Sequence, residues 1–261
     1  MIPAAVLLDL DGTLVDSERV YVEAYRRVLP AYGIHATDAE LRSTIGVADE
    51  VVLPELMRRY GAEVELAELI ARKNACFASL VAGEGLRVTP GTGELLDHAK
   101  AEGIVCLVVT SSARSMVELC LDRSGLAERL PMRICGDEVR RRKPDPEPYR
   151  IAAERLGVAP DRCLAVEDSV GGVTSARSAG CHVAAVLGST VASRLSHAGA
   201  DRIVLRLDEL LPLDIPDRQR HASGLRPVWG ATGGSSRPTA LAEQVSAFQP
   251  PLRRGVPGSQ Q

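Results

Sequence analysis

Asp9 and Asp11 are the residues of this chain best placed to do chemistry. They follow an apolar run, Ala4 to Leu8, short enough for one fully buried strand. Side chains two apart along an extended segment leave on the same side, so both carboxylates can face one site. Gly12 then lets the backbone turn sharply. Two acids at the mouth of a buried strand repel each other and lose hydration, a cost that a cation between them removes. A hard divalent ion such as Mg²⁺ takes oxygen ligands: one or two carboxylates, waters and a phosphate. Asp and Gly are also common turn residues, so the pair alone reads equally well as a capped strand end.

Three further features lie downstream. Thr110-Ser111-Ser112 follows the apolar run Ile104 to Val109. Hydroxyls and free backbone N–H groups between a strand end and a helix start form an anion site, or simply an N-cap. Lys143-Pro144 follows Arg140 to Arg142. The chain has only three lysines (Lys73, Lys100 and Lys143), so arginine is its default cation and Lys143 suggests a chemical choice. An ammonium is a compact point charge that fits between a phosphate and a carboxylate. The three arginines themselves read as a solvated face. Glu167-Asp168-Ser169 ends the apolar run from Cys163 to Val166 and places a second acidic pair where it can complete a metal cage with Asp9. Gly171 and Gly172 allow close backbone approach, and an N-cap by Asp168 or Ser169 is the alternative reading.

The elements that must position these residues follow from periodicity. Ser17 to Gly33 is expected as an amphipathic helix that Pro30 ends or bends. Thr37 and Glu40 make a capping box, and helical patterns follow over 49–60 and 63–81. No strand pattern interrupts this stretch. From Thr89 onward helices alternate with strands at 104–109, 132–135, 163–166, 182–186 and 202–205. That alternation implies an α/β fold, a doubly wound parallel sheet covered on both faces, whose ligands bind outside the carboxyl ends of the strands. The expected division is an α/β core from 1–16 and 86–211, an inserted all-α segment over 17–85, and a tail over 212–261. The tail is rich in Pro, Gly, Ser, Arg and Gln, carries the lone Trp229, and has a weak helical hint at 240–248.

The 261 residues are 45% hydrophobic, 25% charged and only 3% aromatic, with a net charge of −3. This gives no electrostatic case for nucleic acid or an anionic membrane, and no stacking platform for bases. No apolar run nears the ~20 residues that span a bilayer, and the N-terminus lacks a signal peptide's basic start. Six scattered cysteines without a C-x-x-C read as reduced thiols of a cytoplasmic protein.

The order Asp-x-Asp-Gly-Thr, Thr-Ser, Lys-Pro, Glu-Asp-Ser resembles the haloacid dehalogenase-like hydrolase superfamily over about Val6 to Leu211. "DLDGTLVDSE", "KPDPEPY" and "EDSVGGV" are similar to its phosphoglycolate phosphatase and beta-phosphoglucomutase group. The resemblance implies a Rossmann-like core, a helical cap and a Mg²⁺-dependent phosphatase acting on a small phosphorylated metabolite, as monomer or dimer. It implies Asp9 as nucleophile forming an aspartyl-phosphate and Asp11 as general acid, then base. It also implies metal ligation by Asp9, the Asp11 carbonyl and Asp168 with Glu167 in support. Thr110, Ser111 and Lys143 would hold the phosphoryl oxygens.

A sugar-phosphate mutase is the nearest alternative. Arg72-Lys73-Asn74 resembles a stretch of the mutase cap, but Tyr21 stands where the mutase has a histidine, and Asp49 falls near its cap arginine. Those departures favour hydrolysis. Lys73 is then either a substrate contact or an exposed helix residue. A non-catalytic binding protein on the same fold is the second alternative, and a turnover assay separates it from an enzyme.

Overall fold

The structure, a computed structural model, describes residues 1–216 except positions 46, 48 and 189. Trp229 and the helical hint at 240–248 lie outside the described residues. Six parallel strands form one sheet: β1 (Ala5–Leu8), β2 (Val105–Val109), β3 (Arg133–Ile134), β4 (Cys163–Glu167), β5 (His182–Val186) and β6 (Arg202–Val204). Their spatial order is β3-β2-β1-β4-β5-β6. The chain works outward from β1 to β3, then returns to β4 on the other side of β1. The crevice at such a reversal opens above the carboxyl ends of the central strands. Leu8 pairs with Val108 on one side and Val166 on the other, so the central three strands end level.

Strand side chains alternate between two apolar layers, as a period of two requires. Ala5 and Leu7 of β1 belong to one cluster with Val183 and Tyr149, whereas Val6 and Leu8 belong to the other with Leu95 and Val166. Burial on both faces explains why the strands read as continuous apolar runs rather than as alternating ones.

Between β1 and β2 the described chain is helical, as expected: α1 (Glu18–Val28), α2 (Asp38–Ser43), α3 (Asp49–Tyr60), α4 (Leu66–Glu84) and α5 (Thr92–Ala101). The helix expected over 17–33 splits. α1 stops at Val28 and a 3₁₀ turn, Leu29–Tyr32, carries Pro30 in its first turn, where the missing N–H costs nothing. The Thr37–Glu40 capping box is formed. Helices α1 to α4 also bury a third apolar cluster of their own, including Tyr25, Leu29, Ile34, Leu41, Leu53 and Leu69. The two crossings between this bundle and the sheet are tied together, since Asp16 N–H donates to Arg87 O at 2.9 Å and Thr89 N–H to Leu14 O at 2.9 Å. The remaining helices, α6 (Arg114–Ser124), α7 (Glu147–Leu156), α8 (Val170–Ala179) and α9 (Ala192–Ala198), cover the sheet.

Ordered packing runs past the expected boundary at 211. Leu213 and Ile215 are buried in the core, and Ile215 exchanges backbone hydrogen bonds with Met1 at 2.7 and 2.8 Å. Compositional averaging over a Pro-rich stretch hides two such residues. A chain ending after Leu211 is therefore expected to lose about 3–6 kcal/mol, the value of burying two aliphatic side chains, and to melt roughly 6 °C or more below the full chain. A chain ending after Pro216 keeps every residue of the site described below, and its kcat/KM is expected within about tenfold of the full chain. Melting curves and kinetics on both truncations check this. Equal melting for the 211 truncation, or a larger kinetic loss for the 216 truncation, contradicts it.

Among the described residues, no helix is long and apolar enough to cross a membrane. None of the six cysteines forms a disulfide, and burial pushes the Cys106 thiol up to about 12.

Candidate active site

Asp9 is the first residue beyond β1, and its N–H still donates to Val166 O of β4 at 3.0 Å. Two residues on, Asp11 faces the same crevice. Gly12 then turns the chain at φ 81°, and a Cβ there would lie 2.2 Å from Asp168 Oδ2. Only glycine satisfies both the left-handed backbone and that approach.

The carboxylate of Asp11 is held at both oxygens. Ser17 Oγ donates to Oδ1 at 2.6 Å and Ser112 Oγ to Oδ2 at 2.6 Å, with Thr110 Oγ1 at 3.5 Å. Ser17 stands at the N-cap of α1 but makes no side-chain cap bond there, so its hydroxyl serves Asp11 instead. Ser111 is exposed at the mouth of the crevice, and its carbonyl packs where a side chain at Gly136 would sit. Holding Asp11 is a role that sequence reasoning assigned to neither residue: Ser17 reads there only as the start of a helix, and Ser112 as part of an anion site or an N-cap.

Lys143 reaches the centre of the crevice from the loop before α7. Its ammonium donates to Asp9 Oδ1 at 2.6 Å, to Glu167 Oε1 at 2.5 Å and to Val109 O at 2.8 Å. All three of its hydrogens are thus engaged. Glu167 is fully buried behind it. Its Oε1 also accepts from the Tyr149 hydroxyl at 2.6 Å, while Oε2 accepts from Ser169 Oγ and the Asp168 N–H, each at 3.3 Å. The carboxylate fits because α8 opens with Gly172, where a Cβ would meet it at 1.9 Å. Sequence reasoning gave Tyr149 no role, although it closes the KPDPEPY stretch that begins at Lys143.

Asp168 is buried beside Asp9, with Thr13 Oγ1 3.4 Å from its Oδ1. Asp9, Glu167 and Asp168 each offer an oxygen, all within 4.8 Å of one another. Burial, added to the charges of Glu167 and Asp11, holds the Asp9 carboxyl well above the usual carboxylate range, although Lys143 pulls it back. Burial and the charges of Asp9 and Glu167 raise Asp168 likewise. Burial alone would lower Lys143, but Asp9 and Glu167 outweigh it and keep the ammonium charged. Three carboxylates therefore share one ammonium. The surplus negative charge, the all-oxygen donor set and the compact burial suit a hard divalent cation.

The crevice opens into a cleft of about 430 Å³ between the strand ends and helices α1, α3 and α4. Lys73 is no exposed helix residue. Its side chain is 3% exposed, its Nζ lies 2.6 Å from Asp49 Oδ2, and it sits 4.7 Å over the Tyr21 ring. The Tyr25 hydroxyl donates to the other oxygen of Asp49, and Tyr21 stacks on Phe77 with centroids 4.2 Å apart. Arg142 is likewise more than a solvated face. It crosses to α3, with Nη1 3.2 Å from Glu50, and lines the cleft.

Residues 6–186 match the family described as haloacid dehalogenase-like hydrolase. The chain is 36% identical over 180 residues to a phosphorylated carbohydrates phosphatase of Thermotoga maritima, covering 67% of this chain and 81% of that protein. It is 33% identical over 221 residues to the N-acetylmuramic acid 6-phosphate phosphatase of Pseudomonas aeruginosa, covering 82% and 95%. The crystal structure of CbbY from Rhodobacter sphaeroides in complex with phosphate superposes with a TM-score of 0.70 at 28% identity, covering 80% of this chain and 96% of that one. With the family matched over most of the described chain and the acidic crevice lying where its sheet reverses, this protein belongs to the haloacid dehalogenase-like hydrolases.

Proposed function

We propose that the chain hydrolyses a small phosphomonoester, a phosphorylated sugar or a related metabolite, through an aspartyl-phosphate on Asp9. The observation that carries this reading is the placement of Asp9 between Lys143 and Asp168, with Asp11 held by two hydroxyls two residues away. In the first step an oxygen of Asp9 attacks phosphorus, the bond to the leaving oxygen breaks, and Asp11 gives that oxygen its proton. In the second, Asp11 takes a proton from water, the water oxygen attacks phosphorus, and Asp9 leaves as a carboxylate. Splitting the displacement through a carboxylate nucleophile suits a reaction that is extremely slow uncatalysed. Ser17 and Ser112 aim Asp11 for both transfers.

Lys143, Thr110 and Ser111 bind the phosphoryl oxygens. For Lys143 this means exchanging its bond to Asp9 for one to phosphate, which frees Asp9 to attack. Asp9, Asp168 and the Asp11 carbonyl hold Mg²⁺, with Glu167 fixing Lys143 from behind. When bound, Mg²⁺ supplies charge neutralisation on the transferring group. The helical segment 17–85 acts as the cap that closes the cleft over the leaving group. Six cysteines outside any disulfide favour a reducing, cytoplasmic setting.

Metal dependence tests this reading without relying on turnover alone. Activity on p-nitrophenyl phosphate is expected to vanish in EDTA and return with Mg²⁺. Mg²⁺ at about a hundred times its Kd is expected to raise the melting temperature by about 5–10 °C, and Asp168→Asn to abolish that shift. Full activity in a metal-free preparation, or an unchanged shift in Asp168→Asn, sinks it.

A further inference from the structure

We infer that the substrate is a hydroxyl-bearing sugar or polyol carrying a single phosphate, so that its leaving group is uncharged, and that Asp49 is the residue that sets this limit. The inference rests on the phosphatase reading above and adds the chemistry of the group being released.

Among the described residues, three cations line the cleft: Lys143, Lys73 and Arg142. Lys143 sits among Asp9 and Glu167 at the phosphoryl end. The other two face the leaving-group end, and each is already matched by a carboxylate from the first turn of α3. Lys73 pairs with Asp49 at 2.6 Å, and Arg142 with Glu50 at 3.2 Å. Glu18, the remaining acid of the cleft, lies toward Gly12 and Asp168. Positive and negative groups are therefore balanced at the far end, in contrast with the acidic surplus beside Asp9.

Lys73 is buried and Asp49 half-buried, its side chain 19% exposed, and Asp49 is further fixed by the Tyr25 hydroxyl. A second phosphate or a carboxylate on the substrate would have to take the buried Lys73 from Asp49, leaving that half-buried carboxylate without its cation. An uncharged polyol meets no such obstacle. Its hydroxyls can donate to Asp49 and accept from the two ammonium hydrogens of Lys73 that Asp49 does not use. The Tyr21 ring and the Asn74 amide line the same end and suit the apolar and polar edges of a sugar. A mutase must hold a sugar bearing a second phosphate, so the same pairing argues for hydrolysis.

The test uses the full chain with Mg²⁺ and four substrates: p-nitrophenyl phosphate, a hexitol monophosphate, a hexose bisphosphate and phosphoglycolate. The wild type is expected to show a kcat/KM for the hexitol monophosphate at least ~10²-fold above those for the two compounds that carry a second anionic group. Asp49→Asn releases Lys73, and the ratio of bisphosphate to monophosphate kcat/KM is expected to rise at least ~10-fold. Lys73→Gln leaves Asp49 as an unmatched acid, and the same ratio is expected to fall by a similar factor. No turnover of any substrate, p-nitrophenyl phosphate included, would refute the phosphatase reading itself. Turnover of p-nitrophenyl phosphate with a preference for the bisphosphate or phosphoglycolate overturns the inference alone. So does a ratio that neither variant moves, and the wild-type panel decides the matter even if Asp49→Asn does not fold.

Discussion

Asp9→Asn is expected to lower kcat/KM by on the order of 10⁴-fold or more, whereas Asp11→Asn loses at least ~10²-fold yet still accepts a phosphoryl group. The two residues stand two apart at one strand end, but their surroundings differ. Asp9 is bonded to Lys143 and lies within the acidic cluster. Asp11 is held by Ser17 and Ser112, which orient a proton carrier. An amide at position 9 removes the nucleophile, and such losses are among the largest seen in enzymes. An amide at position 11 removes proton transfer, worth typically 10²–10⁴-fold, and leaves the main-chain carbonyl in place. A good leaving group such as p-nitrophenolate needs little protonation, so its first step suffers least. Asp9→Asn also removes one of three buried acids that share a single ammonium, so in EDTA it is expected to melt no lower than wild type. Turnover of an alkyl phosphate by Asp11→Asn at the wild-type rate contradicts this division of labour.

Lys143→Met is expected to cost both rate and stability. The Lys143 side chain is 6% exposed, and its ammonium joins Asp9, Glu167 and the Val109 carbonyl. Removing one preorganised charge from a phosphoryl site costs about 10²–10³-fold in kcat. Removing one partner of a buried ion pair costs roughly 3–5 kcal/mol, because the remaining carboxylates keep their desolvation penalty. A chain of this size is then expected to melt roughly 6–20 °C lower. Steady-state kinetics and melting curves on one preparation read both effects. A variant that is as stable and as active as wild type removes Lys143 from the site.

The sheet and its helices were largely legible because each element carries its own period. β1, β2, β4 and β5 are buried on both faces and read as unbroken apolar runs, and the Thr37 capping box announces α2 locally. The carboxylates at strand ends stood out by their position after buried runs, though each alone also reads as a cap, whereas Lys143, in a loop after three arginines, stood out only by its type. What stayed hidden depends on pairs distant in the chain. Ser112 meets Asp11 across 101 positions, and Tyr149 meets Glu167 from the far side of a loop and a helix turn. Lys73 and Asp49 lie on different helices, so neither residue's spacing marks it as buried. The register of those helices in space, not any local pattern, brings the pair into the cleft. Leu213 and Ile215 were obscured by the prolines around them.

The central claim is a covalent intermediate on Asp9, and trapping it is the most direct test. Asp11→Asn, incubated with Mg²⁺ and p-nitrophenyl phosphate, lacks the base that clears the intermediate. Acid quenching and mass spectrometry of the digested protein should find close to one phosphoryl group per chain, on the peptide carrying Asp9, with none on the doubly substituted Asp9→Asn/Asp11→Asn chain. A chain that turns over the substrate without ever carrying phosphate, or that carries it on another residue, contradicts the assignment of Asp9 as nucleophile.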